Sequence, residues 1–238
     1  MRLTDFKVLT FDCYGTLIDW ESGILAALRP LLGKLGTKVD DEAALVAFAR
    51  HESALEKAQP GLNYRKILAA AYRGLAQEWK STITDAEAER FGNSVQDWPA
   101  FPDSAAALAT LKQHYKLVIL SNVDRASFAE SNKKLGVVFD AICTAEDIGS
   151  YKPDKRNFDF ALKTVQEKLG FAPKDILHTA QSLFHDHQMA KAIGLATNWI
   201  DRRMGKGGSG ATSPVEAVTT DFHFPSMAAF VEAHRNAL

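Results

Sequence analysis

Apolar positions along this chain follow two different rhythms. Five short runs are apolar nearly throughout and rich in branched residues: Lys7 to Asp12, Lys116 to Asn122, Ala141 to Ala145, Ile176 to Ala180 and Ala196 to Ile200. Runs of this length without alternation predict strands covered on both faces, as in a parallel sheet. Between the later runs the rhythm lengthens to that of a helix, with Phe158, Phe160, Leu162, Val165 and Leu169 recurring within Asn157 to Leu169. Strands that alternate with crossover helices predict an α/β fold with a doubly wound parallel sheet.

From Asp19 to Trp98 only the longer rhythm is present. Ile24, Leu25, Leu28, Leu31, Leu32 and Leu35 repeat at helical spacing, and Gly36 is placed to stop that helix. Asp40 or Asp41 can cap the next helix, Leu62 to Trp79 predicts a third, and Thr84 with Glu87 has the spacing of a capping box for a fourth. An all-helical insert after the first strand predicts a cap domain over residues 19–98, on a core built from residues 1–18 and 99–238. Pro99 and Pro102 break the helical pattern at the return to the core, and Asp19 to Trp20 is the matching exit, so these are the candidate hinges. The run Gly205-Lys206-Gly207-Gly208-Ser209-Gly210 has neither the spacing of a phosphate-binding loop nor a helical pattern directly after it, and reads as a flexible surface loop.

Composition narrows the partners. With 238 residues, 46% of them hydrophobic, the chain can bury a full core. A formal net charge of -1 gives no single-sign field to attract nucleic acid or an anionic membrane, which leaves a small molecule as the expected partner. No run of about 18 apolar residues is present and Met1-Arg2 leads straight into a strand-like segment, so a cytoplasmic protein is expected. The two cysteines, Cys13 and Cys143, lie in or beside apolar strands and read as reduced, buried thiols.

Ligands of open parallel sheets bind beyond the carboxyl ends of the strands, so the residues that end each run are the chemical candidates. Strand one ends Phe11-Asp12-Cys13-Tyr14-Gly15-Thr16, strand two ends Leu120-Ser121-Asn122, Tyr151-Lys152-Pro153-Asp154 follows strand three, and strand four leads to Gln181-Ser182-Leu183-Phe184-His185-Asp186. An aspartate is ionised at neutral pH, can attack carbon, and forms an ester that water then cleaves, which makes Asp12 a candidate nucleophile. Lys152 would keep Asp12 ionised and neutralise an anionic substrate, and Asp186 would serve as base for the second water. Ser121 and Asn122 stand where a helix can begin, a place for a substrate carboxylate. Cys13 points to the opposite face of the strand from Asp12. His185 and His187 are two apart and do not face one another on a helix, which argues against a metal between them.

Taken in order from Asp12 to Asp186, these segments resemble the four motifs of the haloacid dehalogenase superfamily. Most of its members read Asp-x-Asp-Gly-Thr in the first motif, the second Asp serving as acid/base in phosphoryl transfer, and carry a further Asp for magnesium in the fourth. Here those places hold Tyr14 and Gln181. The Asp-x-Tyr-Gly-Thr form is similar to the type II L-2-haloacid dehalogenases, which work without metal or cofactor. The resemblance implies a hydrolase that displaces halide from a small anionic 2-halo acid through an aspartyl ester on Asp12, with Lys152 and Asp186 as partners. It implies Tyr14, Thr16, Ser121, Asn122 and Ser182 around the substrate, and Arg50 as the match to an arginine of the second cap helix. Gln181, Leu183 and His185 depart from the Ser-Ser-Asn-x-aromatic-Asp pattern of that branch, and Phe158 replaces a tyrosine, so an altered substrate pocket is expected. The alternatives are a magnesium-dependent phosphatase, which Tyr14 and Gln181 oppose, and a binding protein that kept the fold without the chemistry. A homodimer through apolar cap-helix surfaces is a further expectation.

Overall fold

The computed structural model describes residues 1–35, 39–215 and 218–238, so the helix stop expected at Gly36 lies outside the described residues. Six strands, β1 (Val8–Phe11), β2 (Lys116–Ser121), β3 (Ala141–Thr144), β4 (Ile176–Ala180), β5 (Ala196–Ile200) and β6 (Phe222–Phe224), form one parallel sheet in the order β3-β2-β1-β4-β5-β6. β1 is central, and its four residues are all buried because both faces of the sheet are covered. Alternate side chains serve two separate cores: Leu9, Phe11, Leu117, Ile119 and Leu177 pack on one face, and Val8, Val118, Leu120 and Ile176 on the other. The first five strands fall where the apolar runs predict them. β6 is additional, a three-residue edge strand whose side chains are half-buried or exposed and which therefore has no continuous apolar run.

Residues 19–98, between β1 and β2, hold four α-helices, α1 (Trp20–Lys34), α2 (Asp41–Ala58), α3 (Tyr64–Glu78) and α4 (Asp85–Gly92), and no strand among the described residues. Their starts follow the side chains that satisfy the free N–H groups. Asp19 accepts from Ser22 N, Asp40 from Ala43 N and Asn63 from Arg65 N, while Thr84 and Glu87 form the expected capping box. The exit and return of the chain lie side by side: Asp19 N donates to Pro99 O (2.8 Å), and Phe101 N to Leu17 O (3.0 Å). The remaining helices, α5 (Ser104–Leu111), α6 (Arg125–Leu135), α7 (Ala145–Ile148), α8 (Lys155–Leu169), α9 (Gln188–Ala192) and α10 (Met227–Arg235), cover the sheet or follow its strand ends.

Two expectations are corrected here. The helix after β2 begins at Arg125, because Asp124 accepts from Ser127 N at 2.9 Å and takes the N-cap; Ser121 and Asn122 stay outside the helix. The glycine run after β5 is also more constrained than its composition implies. Arg203 pairs with Glu21 of α1 and Glu42 of α2 and donates to Gly207 O, and Gly210 N donates to Glu42, which pins the loop to the helical insert.

Candidate active site

β1 delivers Asp12 at its carboxyl end, and the turn that follows is possible because Gly15 adopts φ +91°. A side chain at Gly15 would also meet Trp20 Nε1 at 3.0 Å and the Gln181 side chain at 3.2 Å. Thr16 lies under the turn. Its hydroxyl donates to Asp12 Oδ2 (2.7 Å) and accepts from Gln181 N (2.9 Å), so Thr16 fixes the carboxylate and ties β1 to the end of β4.

Lys152, between β3 and α8, is buried and reaches both acids. Its Nζ donates to Asp12 Oδ1 at 2.9 Å and to Asp186 Oδ1 at 2.6 Å. Its backbone is clamped by Asn122, whose Oδ1 accepts from Lys152 N (2.6 Å) and whose Nδ2 donates to Lys152 O (3.0 Å). Asp186 receives a further hydrogen bond from His178 Nε2 at 3.0 Å, and Thr10 completes the chain at His178 Nδ1 (2.9 Å). With Nε2 donating to the carboxylate, His178 is the tautomer whose Nδ1 accepts the Thr10 hydroxyl proton.

Burial and partners set the charges. Burial lifts the Asp12 carboxyl above its ordinary range, although Lys152 and Thr16 pull it down. Burial would raise Asp186 too, but the Lys152 charge and the His178 hydrogen bond prevail and hold it below the usual carboxylate range. Burial alone would discharge Lys152; the two aspartates outweigh it and keep the ammonium protonated. Asp186 Oδ2 is buried and, among the described residues, accepts from no donor.

The cleft above these groups has a cavity volume of about 30 Å³, room for one or two waters or a few substrate atoms. Asp12, Tyr14, Asn122, Lys152, Ser182 and Asp186 line it, as do Trp20, Glu52, Glu56, Tyr64 and His185. Tyr14 shares a hydrogen bond with Ser131 Oγ (2.9 Å), and burial pushes its phenol well above its ordinary range, so it stays protonated. Ser182 caps the turn Leu183–His187 by accepting from His185 N (2.9 Å) and lies 3.2 Å from His185 Nδ1. The two imidazoles of that turn point apart: His187 Nε2 meets Ala180 O (2.9 Å), and burial holds both rings at about 4, hence neutral. Among the described residues no group of three or more His, Cys, Asp or Glu side chains could hold a metal ion.

Most of the expected site residues converge. Thr16 supports Asp12 from outside the cleft, and Ser121 is buried with an unpartnered Oγ and does not line it. Arg50 is misassigned. Its side chain is 59% exposed and pairs with Glu78 (2.7 Å), because the buried face of α2 carries Leu45, Phe48, Glu52 and Glu56, and a residue two positions from Glu52 points elsewhere. Glu52, Glu56, Tyr64, Trp20 and His178 were missed, while His185, named as a departure in the pocket, does line the cleft. The signal for the glutamates was legible: two acids four residues apart continue an apolar helical stripe. Both thiols are reduced and buried, with Cys143 pushed up to about 11.

The site is thus a strand-end aspartate held by a buried lysine beneath a helical insert. The chain belongs to the haloacid dehalogenase-like hydrolases, whose family model matches residues 6–194. It is 25% identical over 208 residues to the (S)-2-haloacid dehalogenase of Pseudomonas putida, covering 85% of this chain and 88% of that one. It is 26% identical over 200 residues to the (S)-2-haloacid dehalogenase of Pseudomonas fluorescens, covering 82% and 84%. The fold matches the L-2-haloacid dehalogenase of Xanthobacter autotrophicus with a TM-score of 0.77 at 18% identity, over 98% of this chain and all of that one. The same enzyme with chloropropionic acid covalently bound gives 0.76 at 20% identity, with 98% and 100% coverage. Among the described residues no helix is long and apolar enough to cross a membrane.

Proposed function

We propose that this hydrolase cleaves the carbon–halogen bond of a small 2-halo carboxylic acid through an ester on Asp12, releasing halide and the 2-hydroxy acid. The observation that carries this reading is the Lys152 ammonium donating to Asp12 and Asp186 together in a buried cleft. The names of the relatives at 25–26% identity support halide as the leaving group.

In the first step Asp12 attacks the carbon opposite the halide, which departs with the bonding electrons. Lys152 keeps the nucleophile ionised and positioned, and Thr16 fixes its rotamer. In the second step a water, oriented by the free Oδ2 of Asp186, attacks the carboxyl carbon of Asp12 and frees the hydroxy acid, with a proton released to solvent. Tyr14 is an aromatic wall, and Asn122 and Ser182 position Lys152 and His185 beside the substrate. The helical insert, residues 19–98, acts as the cap that closes the cleft and excludes water.

Halide release from (S)-2-chloro- and (S)-2-bromopropanoate tests the reading, with Asp12→Asn as the control. The variant keeps shape and burial but loses the nucleophile, so activity falls by about 10⁴-fold or more while the circular dichroism spectrum shows a retained fold. A variant that retains a tenth of the wild-type rate removes Asp12 from the role.

A further inference from the structure

The α2 wall of the cleft holds two carboxyl groups that a substrate which is only an anion would leave without a cation. Glu52 and Glu56 sit one turn apart on α2, with 2% and 6% exposure, and both line the same cavity as Asp12. Four carboxyl groups line that cavity and Lys152 is its one ammonium or guanidinium, already engaged with Asp12 and Asp186. Arg50 offers no relief, since it is on the outer side of α2.

These glutamates are poorly served by the protein. Glu52 accepts from the Tyr64 hydroxyl at 2.6 Å. Among the described residues Glu56 has one long contact, from Asn122 Nδ2 at 3.4 Å to its Oε2, and no cation pairs with either. Burial pushes Glu52 up to about 7 against the pull of Tyr64, and burial with the neighbouring Glu52 pushes Glu56 well above the usual carboxylate range. A second group in the cleft is also unserved. His185 is nine-tenths buried, and its Nε2 has no partner among the described residues. Assigning the Ser182 hydroxyl as donor to Nδ1 leaves a proton on Nε2 that can be donated to an acceptor in the cleft.

We infer that Glu52 and Glu56 form a subsite for a protonated amine, so that the substrate attacked by Asp12 is a zwitterionic halo acid whose ammonium rests on α2 and whose carboxylate takes the His185 Nε2 proton. Buried carboxylates without a cation are costly, and a bound ammonium both repays that cost and favours substrates that carry it over those that lack it. The inference rests on the cleft proposed above as the reaction site; the ammonium subsite itself does not depend on the leaving group.

Two measurements test it. In the first, propylammonium and propionate, matched in size and chemically inert, are titrated into the protein while Tm is followed. Propylammonium raises Tm more than propionate does at equal concentration, and Glu56→Gln weakens the propylammonium effect by about tenfold in affinity, as loss of one charge partner in a buried site requires. Stabilisation by propionate alone, or by neither ion, overturns the inference. In the second, halide release is compared for (S)-2-chlorobutanoate and its 4-amino analogue at neutral pH. The amino compound has a kcat/KM about tenfold or more higher, and Glu56→Gln reduces or reverses that ratio. Preference for the plain acid with no change in Glu56→Gln overturns the inference. Binding of propylammonium without halide release from either compound would instead remove the dehalogenation reading and leave the ammonium subsite standing.

Discussion

Replacing Lys152 by Met removes the cation at the centre of the site and keeps a side chain of similar length, so little cavity is created. Nζ lies 2.9 Å from Asp12 and 2.6 Å from Asp186, with side-chain exposures of 1%, 8% and 0% for Lys152, Asp12 and Asp186. Solvent screening is therefore small. Breaking a buried pair by removing one partner costs roughly 3–5 kcal/mol. Two carboxylates then face each other unneutralised, and the pair must take up a proton. For a chain of this length each kcal/mol moves Tm by roughly 2–4 °C, so Lys152→Met lowers it by roughly 6–20 °C near neutral pH.

The sign of the pH dependence follows from the same groups. In the wild type Asp186 is depressed, so its stabilisation is present above its unfolded value and is lost as pH falls. In the variant the shared carboxyl is raised, so its contribution is fullest below the unfolded value and is lost as pH rises. The stability gap between the two proteins therefore widens from about pH 5 to about pH 8. Thermal unfolding followed by circular dichroism across that range measures it. A gap below about 1 kcal/mol, or one that narrows with rising pH, refutes the assignment of Lys152 as the shared cation.

Other outcomes follow from placement. Arg50→Ala leaves halide release within about twofold of wild type, since an exposed pair with Glu78 touches nothing in the cleft; a loss near 10²-fold would place the guanidinium at the reacting atoms after all. Dialysis against a chelator leaves halide release unchanged, because Lys152 and the Thr16 hydroxyl already serve the Asp12 carboxylate; activity lost on chelation and restored by magnesium would contradict this.

The parallel core was legible because five of its strands are largely buried and so are written as short, mostly apolar runs. β6 was not, since an edge strand with Phe222 and Phe224 half-buried and His223 exposed has no such run to display. Asp12, Lys152 and Asp186 were legible as strand-end residues, whereas His178 was hidden in the middle of β4, where a buried histidine looks like any other core position. The cap wall was the hardest part to read. It depends on which face of α2 turns inward, and helical phase is fixed by burial of Leu45 and Phe48 rather than by the nearest basic residue. Counting from those two positions would have selected Glu52 and Glu56 over Arg50.

The central claim is that Asp12 itself becomes the ester, and oxygen tracing tests it most directly. In a single turnover in heavy-oxygen water, with protein in excess over (S)-2-chloropropanoate, water that attacks the ester carbonyl leaves its oxygen in the Asp12 carboxylate. Mass spectrometry of the Asp12 peptide then finds one heavy oxygen, and the first-turnover lactate, inverted at carbon 2, carries none. Label in that lactate with an unlabelled Asp12 peptide would show that water attacks the substrate carbon directly, and Asp12 would be a base instead of a nucleophile.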